Sequence, residues 1–498
     1  MTKKYLSVLL AAVLMASLFS ACAQQKGGGE AHTLVTETTT AIATDTTGFK
    51  LSYSQSDSLN PYRTKTLNNQ VVETLVFDSL FVPDDNFEAQ PSIAMGYAYE
   101  NGTTLNVTIT SGILFSNGKK LTAKSVVHSF NEAKSSPHWK KMLSPISSAS
   151  AVSDTVVKFT LAYQNPNAHN LLTFAISNGD TDKNGYPIGS GRYKFDEGDG
   201  AVFLTVNEKH ADFAPHFTKI PLVNITSEES IENAINIGNI SYAYRDLSKD
   251  ADVKMQCNKK AVNLTNLVYI GINGNTGITK DENIRRAISL AVDRDTLVKS
   301  AYRGYGRSTT SPFHPASKLG KQSSVFSTKA DAAAAKQAIT QSGYKAKELK
   351  LDILVNKNKE RYAAAKLIKQ QLEAAGFSVT INREKNKTYR SKISGGGYDL
   401  YIGETRIPND MNMRSFFTKN GATRYGINLK SSKTAKTYSN YLNKGEEIGS
   451  FVLAFSQEMP FVPLLYRQGM ICYSKALQGD MQGSAENYFS NIEDWYYN

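Results

Sequence analysis

The sequence predicts an α/β fold built from more than one domain, and three observations carry that expectation. The chain has 498 residues, which at about 150 residues per domain is two or three domains. It is 41% hydrophobic with 22 Phe and 26 Tyr, far too apolar and aromatic to stay disordered. From about 265 to 465, short apolar runs alternate with helical periodicity, the signature of strands joined by crossover helices.

The elements follow in order. Lys3 and Lys4 precede an apolar run from Tyr5 to Phe19 and then Ser20-Ala21-Cys22, which reads as a secretory signal over 1–21. Residues 22–47, Gly-rich and then Thr-rich, read as a flexible tether. Leu105, Val107 and Ile109 alternate as a strand that ends near the Asn117-Gly118 turn. Thr122 caps a helix whose Val126, Val127 and Phe130 share one face, and Asp154 to Leu161 alternates as a second strand. Residues 75–185 thus form a unit of strands with a few helices.

In the second half, Thr279-Lys-Asp-Glu282 reads as a capping box ahead of Ile284, Ala287, Ile288 and Ala291. Ala330 to Ser342 is a helix stopped by Gly343, and Glu360 to Ala375 a helix stopped by Gly376. Leu349 to Val355, Phe377 to Asn382 and Tyr398 to Ile402 are strands, the last following a Gly395-Gly396-Gly397 turn. In such sheets ligands bind at loops beyond the strand ends.

Composition and motifs also exclude. The net charge is +12, from 57 Lys+Arg against 45 Asp+Glu, but both signs are mixed along the chain with no basic cluster among stacking aromatics, so no nucleic-acid partner is expected. Three cysteines make neither a disulfide framework nor a zinc ribbon; Cys257 and Cys472 pack as small apolar groups or pair with each other. There is no GxSxG, HExxH, Walker or GxGxxG motif, and the seven histidines lack metal-ligand spacing. No enzyme, cofactor or metal site is expected. An exported α/β chain without catalytic groups favours capture of a solute over its conversion.

Several segments, read in order, resemble the extracellular solute-binding proteins of ABC importers, in the oligopeptide/dipeptide/nickel-binding family 5. They are Ser58-Leu59-Asn60-Pro61 with Val76-Phe77-Asp78-Ser79-Leu80, Gly112 to Gly118 with Leu121 to Val126, Ile188-Gly189-Ser190-Gly191-Arg192-Tyr193 with Asn207, Ile284 to Arg294, Leu372 to Phe377, and Met459 to Leu464. Ser20-Ala21-Cys22 is similar to the bacterial lipobox, with Phe19 where Leu is usual, and implies acylation of Cys22. Since one acyl chain gives a binding constant of only about 10⁴ M⁻¹, stable anchoring to the outer face of the cell membrane (or the periplasm-facing membrane) needs several.

The resemblance implies a two-lobed, periplasmic-binding-protein-like fold of type II with an inserted domain and two hinge strands. Lobe I would take 48–74, 186–264 and 466–498, the inserted domain 75–185 and lobe II 265–465. It implies a monomer that closes on a small solute, most often an oligopeptide, and passes it to permease subunits. Peptide-binding relatives pair the ligand backbone with two stretches. These match Lys65, Thr66 and Leu67, with Asn68 beside them, and Gly403, Glu404 and Thr405, followed by Arg406. The acid that pairs with a peptide amine in those proteins falls at Ile407, which cannot do so; Glu404 could substitute, and Arg406 with Lys65 could favour a carboxylate. Surface ion pairing of Lys65, Glu404 and Arg406 is the alternative. On the same scaffold a nickel chelate, oligosaccharide or anionic metabolite remains open, and outside it a surface hydrolase or adhesin.

Overall fold

The computed structural model describes residues 48–248 and 254–498. The signal segment, Cys22 and the whole of the tether lie outside the described residues. Among the described residues, eleven strands join into one sheet that passes through the middle of the body. Two long antiparallel strands, Asn258–Ile272 and Phe461–Tyr473, form its spine. At one end of this pair, Asn258 faces Tyr473 and Asn263 faces Gln468; at the other, Leu267 faces Tyr466 and Gly271 faces Phe461.

Between Asn263 and Leu267 the register slips. A bulge bends its strand and increases the local twist, so one ladder is turned into two differently oriented halves. On one side Tyr242–Arg245 pairs with the spine, and Leu51–Tyr53, Lys219–Asn224, Ala201–Val206 and Tyr193–Gly198 follow. On the other side Leu400–Arg406, Lys350–Asn356 and Ser378–Glu384 follow, with Gly306–Ser308 at the spine. The two halves are the two lobes, and the spine strands cross between them.

Each half has its own apolar core. The first gathers Phe49, Tyr242, Phe489 and Trp495, so the two ends of the described residues meet in it: Trp495 is fully buried with its ring 5.9 Å from that of Phe49. The second gathers Leu267, Ile353, Ile368, Leu400 and Phe461. Joined to the first core is an antiparallel four-stranded sheet in the order Ala94–Asn101, Thr104–Ile109, Val156–Leu161, Ile146–Ala151. Leu105, Val107 and Ile109 alternate inward against the helix Ala123–Ser135, where Phe130 meets Phe159 edge-on at 5.6 Å. Thr122 is the cap expected there, and Ser125 completes a capping box with it.

The motif residues explain themselves physically. Buried Arg294 donates to the carbonyls of Pro463, Ser289 and Val292, and Arg285 to those of Glu458, Thr279 and Lys280, riveting the helix Glu282–Ala291 to the start of a spine strand. A Cβ on Gly191 would lie 2.6 Å from the carbonyl carbon of Val76, so only glycine lets this loop press on the end of the helix Leu67–Val76.

Two local expectations are corrected. The cap of the helix Glu282–Ala291 is Asp281, which accepts from the Asn283 and Ile284 amides; Thr279 lies in a separate 3-10 turn, Ile278–Lys280, ahead of the helix. The glycines at 395–397 are not a free turn: a helix, Asn386–Gly395, ends there with Gly396 left-handed at φ 72°.

Candidate functional site

The helix Leu67–Val76 turns one face, Leu67, Gln70, Glu73 and Thr74, toward a cavity of about 400 Å³ beside the spine bulge. Leu264 and Asn266, inside the register slip, form part of its wall. His138 and Trp139 come from the unit carrying the four-stranded sheet, Arg406 from the second lobe, and Glu486 and Tyr488 from the C-terminal segment. Every part of the body therefore contributes to one enclosure, of a size suited to a small ligand.

Glu486 ties three parts of the chain together at the cavity wall. Its Oε1 accepts from Arg406 Nη2 at 3.1 Å, while Oε2 accepts from Asn409 Nδ2 at 3.0 Å and Thr173 Oγ1 at 3.3 Å. Its backbone sits at φ 74°, a left-handed conformation that costs a residue with a Cβ about 1–2 kcal/mol. Strain of this kind persists where surrounding contacts over-determine it. Farther along, Asn165 Nδ2 donates to Asp410 Oδ2 at 2.7 Å, and burial pushes the Asp410 carboxyl up to about 6. Beside that bond lies a second cavity of about 460 Å³, near the stacked rings of Tyr97 and His169, 4.0 Å apart.

The first cavity carries charge of both signs on an aromatic frame. Arg192 reaches Glu493 at 3.5 Å and lies half-buried near the Phe213 ring. Asp78 accepts from Ser190 Oγ at 2.9 Å. Burial holds the His138 imidazole below its usual pKa, so at neutral pH it is uncharged. Trp139 stands edge-on to Tyr62 at 6.2 Å, and Tyr244 packs on Tyr488 at 4.6 Å.

Of the residues singled out from sequence, Leu67 and Arg406 line this cavity. The Lys65 and Thr66 amides instead hold Asp57 Oδ2 at 2.9 and 2.7 Å, with the Lys65 side chain exposed. Asn68 Nδ2 donates to the Ile225 carbonyl. Gly403 and Thr405 pair with Tyr269 and Leu267, and a Cβ at 403 would meet the Tyr269 ring at 2.5 Å, so that glycine serves packing. Glu404 is turned inward, 3.6 Å from Arg361 and 3.7 Å from Arg467, and accepts from Asn266 Nδ2 at 3.2 Å. Ile407 is part of the second core. The sequence reading missed Glu73, Trp139 and Glu486. Glu73 had a signal, an acid at helical spacing from Leu67 and Gln70, whereas Glu486 had none.

A cavity between two lobes that share crossing strands is the arrangement of a binding protein of the two-lobed class. The model of bacterial extracellular solute-binding proteins, family 5 Middle, matches residues 88–425, and the chain belongs to this family, which serves ABC importers. It is 22% identical over 479 residues to the oligopeptide-binding protein AppA of Bacillus subtilis, covering 85% of this chain and 87% of that one. It is 23% identical over 383 residues to the nickel-binding protein NikA of Staphylococcus aureus, covering 74% of each. Among solved structures, the unliganded open form of the murein tripeptide-binding protein MppA aligns with a TM-score of 0.72 at 17% identity, over 91% of this chain and 98% of that one.

Proposed function

We propose that this protein captures a short peptide in the hinge-side cavity and delivers it, chemically unchanged, to the permease of an ABC importer. The observation that carries the reading is the cavity itself: about 400 Å³, bordered by the Arg406–Glu486 contact, with acids, guanidiniums and aromatic rings on its wall. A peptide offers a matching set, an amine, a carboxylate and an apolar body between them. Ligand stabilises closure only through contacts it lacks in the open state, and a shift from 1:99 to 99:1 needs about 5.5 kcal/mol of such difference. Charge-assisted hydrogen bonds at about 1.5–3 kcal/mol each, with apolar burial, reach that sum.

In this reading the chain is exported, cleaved before Cys22 and acylated there, and acts as a monomer without turnover. The lobes take 48–74 with 186–264 and 466–498, and 265–465, with 75–185 inserted. Calorimetry and native mass spectrometry with di- to pentapeptide mixtures test it; a protein that ignores peptides but co-purifies with another solute overturns it.

A second reading, capture of a nickel chelate, draws support from His138 and His210, two imidazoles on the cavity wall. Nickel–histidine, but not peptide, would then shift the melting temperature, and His138→Ala would remove that shift.

A further inference from the structure

We propose that Glu73 receives the ammonium group of the captured ligand, so that the ligand class is a primary amine, such as the free amino terminus of a short peptide. The inference deepens the peptide reading and rests on the hinge-side cavity being where the solute sits.

Glu73 lies on the cavity-facing side of the helix Leu67–Val76 and is 4% exposed. One carboxyl oxygen accepts from the Thr64 hydroxyl. Among the described residues no Lys, Arg or His forms an ion pair with it, and the charged group that bears on it is another acid, Asp57, itself held by the Lys65 and Thr66 amides. The phenol of Tyr62, on the preceding loop, is the other titratable neighbour, and it too feels Glu73 as an unfavourable charge. Glu73 also falls in the last turn of its helix, where the macrodipole favours a cation and opposes a carboxylate.

The other acids near the cavity are provided for. Glu486 has Arg406, Asp78 has the Ser190 hydroxyl, Asp246 has the Ser248 amide, and Glu404 has two guanidiniums. Glu73 alone of these is deeply buried with a single neutral donor. Burial accordingly pushes its carboxyl well above the usual range, against the smaller opposing effect of Thr64. A group in this state is costly to ionise and gains most from a cation delivered into the cavity. Binding an ammonium would ionise it and release a proton.

The test uses the mature protein and two probes, a lysine-free equimolar tripeptide mixture with free amino termini and the same mixture N-acetylated. Calorimetry at pH 6 and 7, in buffers of different ionisation enthalpy, reads affinity and proton release. The expected result is binding of the free-amine mixture with proton release, at least about 10-fold weaker for the acetylated mixture. Glu73→Gln should bind the free-amine mixture as weakly as wild type binds the acetylated one, without proton release.

Equal binding of both mixtures by wild type, or unchanged affinity in Glu73→Gln, overturns the role of Glu73 and leaves the peptide reading intact. If neither mixture binds, the peptide reading falls, and a mixture of free amino acids and diamines decides: binding abolished in Glu73→Gln supports the assignment, and silence overturns it. Melting of the ligand-free proteins supplies a control. The wild type should lose stability relative to Glu73→Gln as pH rises above 4.5, the unfolded value, through the raised folded value. A variant less stable than wild type at every pH assigns Glu73 to the fold and overturns the proposal.

Discussion

Glu404 and Glu73 are both buried acids near the same cleft, one on the second lobe and one on the first, and their surroundings are opposite. Glu404, with its side chain 7% exposed, has Arg361 and Arg467 beside it and an amide from Asn266. Glu73 has one hydroxyl and no cation. Position along a motif pointed to the first as the ligand's partner; the partners already in place point to the second. A buried charge with counter-charges beside it belongs to the architecture, and one without a counter-charge is available to a guest.

The strongest way to break that contrast is Glu404→Ala. It leaves Arg467, whose side chain is fully buried, without its counter-ion, and removal of one member of a buried pair costs about 3–5 kcal/mol. Denaturant unfolding should show that loss; a change under about 1 kcal/mol would mean the cluster is solvated and Glu404 free for ligand after all.

Asp410 gives a second measure of an acid buried at the contact with Asn165. Its folded pKa of about 6 lies above the ordinary 3.8, so its contribution to stability is complete below 3.8 and is lost as pH rises to 6. Asp410→Asn should therefore be the more stable protein above pH 6, by up to about 3 kcal/mol, and equal to wild type near pH 4. Melting curves from pH 4 to 8 check this, and parallel curves for the two proteins would refute it.

Arg406 tests whether closing contacts matter more to binding than to folding. Its side chain is 55% exposed, so losing the pair with Glu486 should cost under about 1 kcal/mol of stability. Peptide affinity should nonetheless fall by about 10-fold or more in Arg406→Ala, from one charge-assisted hydrogen bond. The smallest effect belongs to Lys65→Ala. That exposed side chain should change stability by less than about 0.5 kcal/mol and leave peptide titrations unaltered.

Local elements were the legible part of this chain. The helix Ala332–Ser342 runs from an Asp331 cap to left-handed Gly343, and Lys359–Ala375 from an Asn358 cap to Gly376; side-chain pattern and glycine stops foretold both spans within a residue or two, though not the two caps. The helix Asn386–Gly395 escaped notice because its face is almost wholly polar, with Tyr389 its one buried side chain. The Thr279 cap failed because Thr279 falls in a separate short turn and the helix begins at Glu282, directly behind the acceptor Asp281. Of the site, Leu67 and Arg406 were legible; the bulge at 264–266 and the bridge through Glu486 were not.

By itself the sequence determined what depends on near neighbours: periodicity, caps, glycine stops, and the ordered motifs that identify the family. Tertiary structure decided which charges are spent. The partners of Glu404 lie at 361 and 467 and those of Glu486 at 173, 406 and 409, separations across which no local pattern constrains a contact. Whether a buried carboxylate keeps its charge depends on the dielectric and counter-charges within a few ångströms, and only the folded chain brings those together.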